Sequence, residues 1–374
     1  MHYAGLVIRT ERMKRDWSQE GLCRGICTVS YLSKIEQGKA TPSGQVLELL
    51  MKRLDIYWTE GSVNMERWIE DTMEAMFGYE KTYIESVQKA DRNTYIYSPF
   101  GVDFLLLERF SADRAQPLPE EYEFCMNKKQ LALQRILQGR EEDAMSLYPF
   151  SFVYSSAGTK YYEAGQTITA LELLQTGYDL AAREGRPRVM LHCKAMMGNC
   201  YSNQRDIAAM QIHYQVARRL ALALKDEEYC QTIAYNTAAT DIEIGEYEKA
   251  LIYFKNLRQP KKMDLHKLAI CYEKLGRKEE AQKTLERSKE ALGNLWIPDG
   301  LEDSMLELVY LRLEDPEYIK NEEYGKKLIA CFENCRRLLP IGYAEFHLPW
   351  VLEWLEENRQ YKKALMLLKD FPKK

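Results

Sequence analysis

The sequence predicts an all-α protein, and three observations carry the prediction. Glycine (20) and proline (12) are sparse among 374 residues, so helices can run long between few turns. Apolar residues recur three and four apart along most of the chain, the period of a helix with one buried face. A glycine followed five residues later by alanine recurs at Gly139…Ala144, Gly165…Ala170, Gly245…Ala250 and Gly276…Ala281. Such self-similarity marks stacked helical hairpins. The chain is too long for one compact helical core.

Composition excludes several classes. Charged residues make up 29% and hydrophobic residues 46%, as in a water-soluble globular protein. No apolar run reaches the ~18 residues that a membrane span requires. The N-terminus lacks an apolar core followed by a small-residue cleavage site, so a cytoplasmic location with no membrane association is expected. Nine cysteines include Cys23/Cys27 and Cys331/Cys335, but no histidine lies near either pair. A closed zinc site needs four ligands, so reduced, buried thiols are expected, with no metal and no cofactor. The five histidines are scattered, and no phosphate loop or nucleophile elbow is present. A catalytic role is therefore not expected.

Charge is uneven. Residues 1–55 carry nine Lys/Arg against six Asp/Glu, a net +3, which leaves −7 of the overall −4 on the remainder. A basic head on an acidic body suits a head that meets phosphate.

Within that head, residues 3–15 read as a first helix, with Leu6, Ile8 and Met13 among its apolar positions. Ser18 is placed to cap a short second helix from Gln19 to about Arg24. Gly25 makes the turn and Ile26 plugs the gap between helices. Cys27 or Thr28 caps a third helix over residues 29–37, which Gly38 ends. Thr41-Pro42 starts a fourth, with Pro42 at its first position and Val46, Leu49, Leu50 and Leu54 as its buried stripe. If Leu32 and Ile35 face inward, Thr28, Val29, Ser30 and Lys34 face out. Glu36 reads as structural, binding backbone amides or a nearby arginine.

These residues make a helix-turn-helix. Ile8-Arg9-x-x-Arg12, Ser18-Gln19-x-x-Leu22, Gly25-Ile26-Cys27, Ser30-x-Leu32-Ser33-x-Ile35-Glu36-x-Gly38 and Pro42 together resemble the XRE-type family. The short turn Leu22-x-x-Gly25-Ile26-Cys27 is similar to the PlcR/Rgg type of Gram-positive peptide-pheromone quorum-sensing regulators. The resemblance implies a third helix laid in the major groove of double-stranded DNA. It implies base readout by Val29, Ser30 and Lys34, and phosphate contacts from Gln19, Thr28 and Lys39. It also implies a homodimer on a roughly palindromic operator.

After a joint at residues 55–61 the chain is nearly all helix. The Gly…Ala units resemble tetratricopeptide repeats of ~34 residues. Arg205 and Arg359 stand where the glycine is expected in two further copies, and the spacing from Gly165 to Arg205 and on to Gly245 is 40 each. Residues 302–338 read as a degenerate unit turning at Glu314-Asp315-Pro316, and residues 105–110 as buried helix. The register of residues 61–138 is left open. The expected domains are 1–57, the helix-turn-helix; 58–118, a linker and first hairpins; and 119–374, a right-handed tetratricopeptide-like solenoid for peptide sensing and dimerisation.

In such repeats the first helix of each hairpin lines a concave face, where asparagine can hold the backbone of an extended peptide. Asn236 lies nine residues before Gly245 and Asn199 six before Arg205, with Asn203 one turn further on. Tyr162, Tyr235 and His266 are expected nearby, and Glu243 is placed to meet an amine or basic side chain. The expected function is a transcription regulator controlled by a short signalling peptide. The alternative is a repeat body that serves protein partners or a non-peptide effector.

Overall fold

The computed structural model describes residues 2–112, 116–294 and 297–371. Among the described residues there are 22 α-helices and no strand. The chain divides into two compact units. One comprises residues 1–157 and 176–190, and the other residues 158–175 and 191–374.

The head occupies the start of the first unit, as helices α1 (His2–Lys14), α2 (Gln19–Cys23), α3 (Val29–Glu36) and α4 (Gly44–Arg53). Leu6, Ile8, Leu22, Leu32, Ile35, Leu50, Met51 and Leu54 form its core. Gly5 is what lets α1 approach α3, because a Cβ there would collide with the Ile35 carbonyl. Three local expectations are corrected. Met13 is exposed, because the α1 stripe runs through the other apolar positions. Pro42 precedes the fourth helix; Ser43 caps it, accepting from the Val46 amide at 3.4 Å. Leu49 faces solvent and Met51 takes its place in the core, a phase error of about half a turn.

Helices α5 (Val63–Phe77), α6 (Thr82–Lys89), α7 (Arg92–Ile96) and α8 (Gly101–Phe110) follow, and α8 is buried as residues 105–110 suggest. The head is packed on this segment. The Tyr3 hydroxyl donates to the Ile96 carbonyl at 2.9 Å, and its ring fills the space that Gly101 leaves.

From α9 onward the helices pair as hairpins. They are α9 (Lys128–Leu137) with α10 (Glu141–Leu147), α11 (Ser151–Glu163) with α12 (Thr167–Glu184), and α13 (Pro187–Asn203) with α14 (Ile207–Ala223). Next come α15 (Glu227–Glu243) with α16 (Tyr247–Lys255), and α17 (Lys262–Lys274) with α18 (Lys278–Ser288). The series ends with α19 (Leu301–Glu314) and α20 (Glu322–Leu338), then α21 (Ile341–Glu357) and α22 (Tyr361–Asp370). The 302–338 unit turns where expected.

The hairpin turns share one mechanism. Gly139, Gly165, Gly245 and Gly276 all have positive φ, and so do Arg205 and Arg359 in the two glycine-less copies. At each, the next amide reaches back five residues, as from Gln166 to Tyr161 at 2.8 Å and from Gln360 to Leu355 at 2.7 Å. That bond caps the first helix's open carbonyls, which is why the turn survives without glycine. Five residues on, Ala144, Ala170, Ala250, Ala281 and Ala364 are buried. The structure adds a second small position, seven residues before the turn: Ala132, Gly158, Gly198, Ala238 and Ala269. At Gly158 and Gly198 the facing Leu174 and Tyr214 side chains occupy the space of a Cβ.

Candidate functional site

Two sites emerge, one in each unit. In the head, the helix-turn-helix is fixed by caps and one buried ion pair. Ser18 caps α2 by accepting from the Gly21 amide at 3.0 Å, and Thr28 caps α3 by accepting from the Tyr31 amide at 3.2 Å. Gly25, with φ +77°, sets the turn. Gly38 closes α3 as the Lys39 amide reaches back to the Lys34 carbonyl at 2.8 Å. Arg12 donates from Nε and Nη2 to the two Glu36 oxygens at 2.7 and 2.9 Å, and from Nη1 to the Trp17 carbonyl at 2.7 Å. Gln19 adds a bond to Glu36 at 2.8 Å. This bidentate pair ties α1, the α2 start and the α3 end together, the structural role expected of Glu36. Arg53 on α4 also binds the Leu22 and Arg24 carbonyls, a contact that sequence spacing does not reveal.

The outer face of α3 is as expected. Thr28, Val29, Ser30, Lys34 and Lys39 are exposed, while Leu32 and Ile35 are buried. Gln19 differs in that its amide nitrogen is engaged by Glu36, leaving its side-chain oxygen and backbone amide for any outside contact. The surface offers a hydroxyl and a branched apolar group in the first turn of α3 and an ammonium in its last turn, chemistry that suits base edges.

In the second unit, α11, α13, α15, α17 and α21 wall a cavity of ≈ 680 Å³, within the size range of ligand sites. Asn199, Asn203, Asn236, Tyr162, Tyr235 and Glu243 all line it. The asparagines of successive repeats touch: Asn236 Nδ2 donates to Asn199 Oδ1 at 3.1 Å, and the Tyr214 hydroxyl donates to the same oxygen at 2.6 Å. A primary amide has two donors and two lone pairs. Asn236 spends one donor on its neighbour, so the ladder is oriented and still holds capacity for a ligand.

His266 is the exception. It is buried in the core, absent from the cavity lining, and stacked on His347 with ring centroids 6.1 Å apart. Burial pushes its pKa well below the ordinary histidine value. The groove-facing residues of α17 are instead Asp264 and Lys267. Lys267 stands nine residues before Gly276, the register of Asn236 before Gly245, so the repeat spacing could have found it. Thr159, Met196, Gln231, Thr232, Tyr253 and Tyr343 also line the cavity and were not anticipated.

The groove is electrically uneven. Glu243 retains solvent contact on the open wall, while the surrounding protein raises its pKa against the opposing pull of Lys267 and Arg205. Glu345 on α21 has one buried carboxylate oxygen with no hydrogen-bond partner, and burial followed by Glu243 raises its pKa to about 7. Among the described residues no cluster of three or more His, Cys, Asp or Glu is placed to hold a metal ion, and no helix is long and apolar enough to cross a membrane.

A helix-turn-helix family profile matches residues 8–60. The head is a helix-turn-helix domain. Over 400 residues the chain is 24% identical to the transcriptional activator NprA of Geobacillus stearothermophilus, covering 91% of this chain and 95% of that protein. Among solved structures, Bacillus thuringiensis PlcR in complex with the peptide PapR7 and DNA is 14% identical, with a TM-score of 0.32 over 62% of this chain and 99% of that one. A Rap protein complexed with competence and sporulation factor is 14% identical, with a TM-score of 0.47 over 98% of this chain and 94% of that one. The resemblance read from the motifs is borne out for the head by its family profile, and along the chain by a relative that is itself a transcriptional activator.

Proposed function

We propose that this protein is a DNA-binding transcription regulator controlled by a short linear peptide held in the groove of its repeats. The observation that carries the reading is the joint presence of two features. One is a helix-turn-helix head whose α3 presents Val29, Ser30 and Lys34 outward. The other is a groove in which Asn199 and Asn236, from successive hairpins, form an oriented amide ladder. The whole-length likeness to a transcriptional activator supports the direction of the output. On this reading Val29, Ser30 and Lys34 read bases, and Gln19, Thr28 and Lys39 meet phosphate. Asn199, Asn203, Asn236, Tyr162, Tyr235 and Glu243 hold the peptide. The protein acts in the cytoplasm, as a homodimer on half-sites about one helical turn, ~34 Å, apart or a multiple of it, and performs no catalysis.

The test is fluorescence anisotropy with labelled duplex from upstream of the protein's own gene. Ser30→Ala with Lys34→Ala should weaken specific binding at least tenfold, and affinity should fall steeply with salt as phosphate contacts release counterions. Unchanged affinity in the double variant would remove the readout assignment. Calorimetry with synthetic peptides from any short exported reading frame beside the gene tests the groove. Heat that is lost on Asn236→Ala supports it, and no heat from any such peptide counts against it.

A further inference from the structure

The groove wall repeats one register position, and the residue there changes character. Nine residues before the hairpin turn stands Asn236 in one repeat and Lys267 in the next. Both line the cavity. Lys267 is 4% exposed, with its ammonium over the face of Phe346, another lining residue. Among the described residues the Lys267 ammonium makes no hydrogen bond and has no carboxylate within ion-pair distance; Glu243, on the neighbouring helix, acts on it only through space.

A buried ammonium without a counter-ion is costly, because desolvation is not repaid by a partner. Among the described residues the other deeply buried cation is fully paired. Arg312 on α19 donates to both Glu273 oxygens at 2.6 and 2.8 Å. Lys267 has been given an aromatic face and an open cavity instead. Burial holds its amine below the ordinary lysine range, while Glu243 opposes that shift. An anion placed beside it would supply the missing partner.

We propose that Lys267 is the receptor for a carboxylate of the ligand in the groove, a reading that rests on the peptide proposal. The geometry suits a carboxylate in particular. Lys267 supplies charge from the α17 wall. Asn236, one repeat earlier, supplies an amide donor from the adjoining wall. Glu243 repels the anion from its own side and leaves that side for a cationic group. Bound peptides are therefore oriented, with acid toward α17 and base toward the end of α15. The carboxylate comes from a free C-terminus or from an Asp or Glu side chain.

The test uses the full chain, immobilised, with four synthetic random heptapeptide mixtures. Each mixture has a free N-terminus, and the four combine a C-terminal acid or amide with inclusion or omission of Asp and Glu. Retained peptides are quantified by mass spectrometry against the Lys267→Met variant, which keeps the side chain's length and apolar stem. Its melting temperature should equal or exceed that of the wild type, because an unpaired buried cation is gone. The expected result is at least tenfold greater retention by the wild type from a carboxylate-bearing mixture, and no excess from the amidated mixture without Asp and Glu. Enrichment in the acid arm assigns the C-terminus, and enrichment in the Asp/Glu arm assigns a side chain. Equal retention of carboxylate-free peptides, or undiminished retention by the folded variant, overturns the assignment of Lys267 and leaves the peptide reading standing. Retention of no mixture overturns both.

Discussion

Removing the positive half of the Arg12–Glu36 pair should open the head. The Arg12 and Glu36 side chains are 13% and 3% exposed, so the pair is screened little by solvent. Arg12→Met leaves the Glu36 carboxylate buried with only Gln19 as a donor and frees the Trp17 carbonyl. Breaking one side of a buried pair costs about 3–5 kcal/mol, mostly the penalty of the charge left behind. At ~1.4 kcal/mol per decade, 4 kcal/mol is about a thousandfold in the opening equilibrium. Hydrogen exchange of the full chain, read on peptides covering α1 and α3, reports that equilibrium directly. Protection there should drop by about that factor, with DNA affinity falling alongside it. Protection in α17 and α18 should be unchanged. Adding Glu36→Leu to Arg12→Met should restore much of the loss, because no charge is then stranded. A drop of less than tenfold in the single variant, or no recovery in the double, would refute the pair as the tie between α1 and α3.

The hairpin turns make opposite predictions at two positions with the same backbone. Gly245→Ala, at φ +85°, should lower stability by about 1–2 kcal/mol, while Arg359→Gly, at φ +58°, should leave it equal or raise it by up to ~1 kcal/mol; urea midpoints decide. Gly198→Ala should cost about 1–3 kcal/mol by pressing on the Tyr214 ring, and should weaken groove binding because Tyr214 orients Asn199. His347 is buried and neutral, donating from Nδ1 to the Tyr343 carbonyl at 2.7 Å; burial lowers its pKa from 6.5 to about 3. Below the unfolded value the unfolded chain takes up a proton that the folded chain refuses, so stability is intact above pH 6.5 and is lost as pH falls toward 3. Between pH 7 and about pH 5 the wild type should lose about 2 kcal/mol more than His347→Asn, which keeps a donor but does not titrate; equal losses would mean that His347 is not neutral in the fold.

Much of this molecule is legible in its sequence because local signals and burial agree. Ser18, Gly25, Thr28 and Gly38 each do at a helix end what their chemistry favours, and Leu32 with Ile35 fixes which face of α3 is inward. The Gly…Ala spacing marks the hairpins because a left-handed turn and a close helix approach both restrict residue type. Errors arise where phase alone decides. Leu49 and His266 are apolar or aromatic residues set beside the correct face, and only packing from a neighbouring helix shows which side is buried. The Arg53 contact with α2 and the Tyr3 anchor on Ile96 join residues far apart in the chain, and no periodicity encodes them. Lys267 could have been found. Its register is that of Asn236, but lysine at a polar repeat position looks like ordinary surface until its burial is seen.

The central claim is that the groove and the head are coupled, and a single titration addresses it. DNA affinity should be measured by anisotropy at fixed salt, with and without a peptide shown by calorimetry to bind the wild type and not Asn236→Ala. Coupling of the usual size, about 1–3 kcal/mol, would change DNA affinity some 5–150-fold. The account predicts such a change in the wild type and none in Asn236→Ala. A peptide that saturates the groove and leaves DNA affinity unaltered would contradict it.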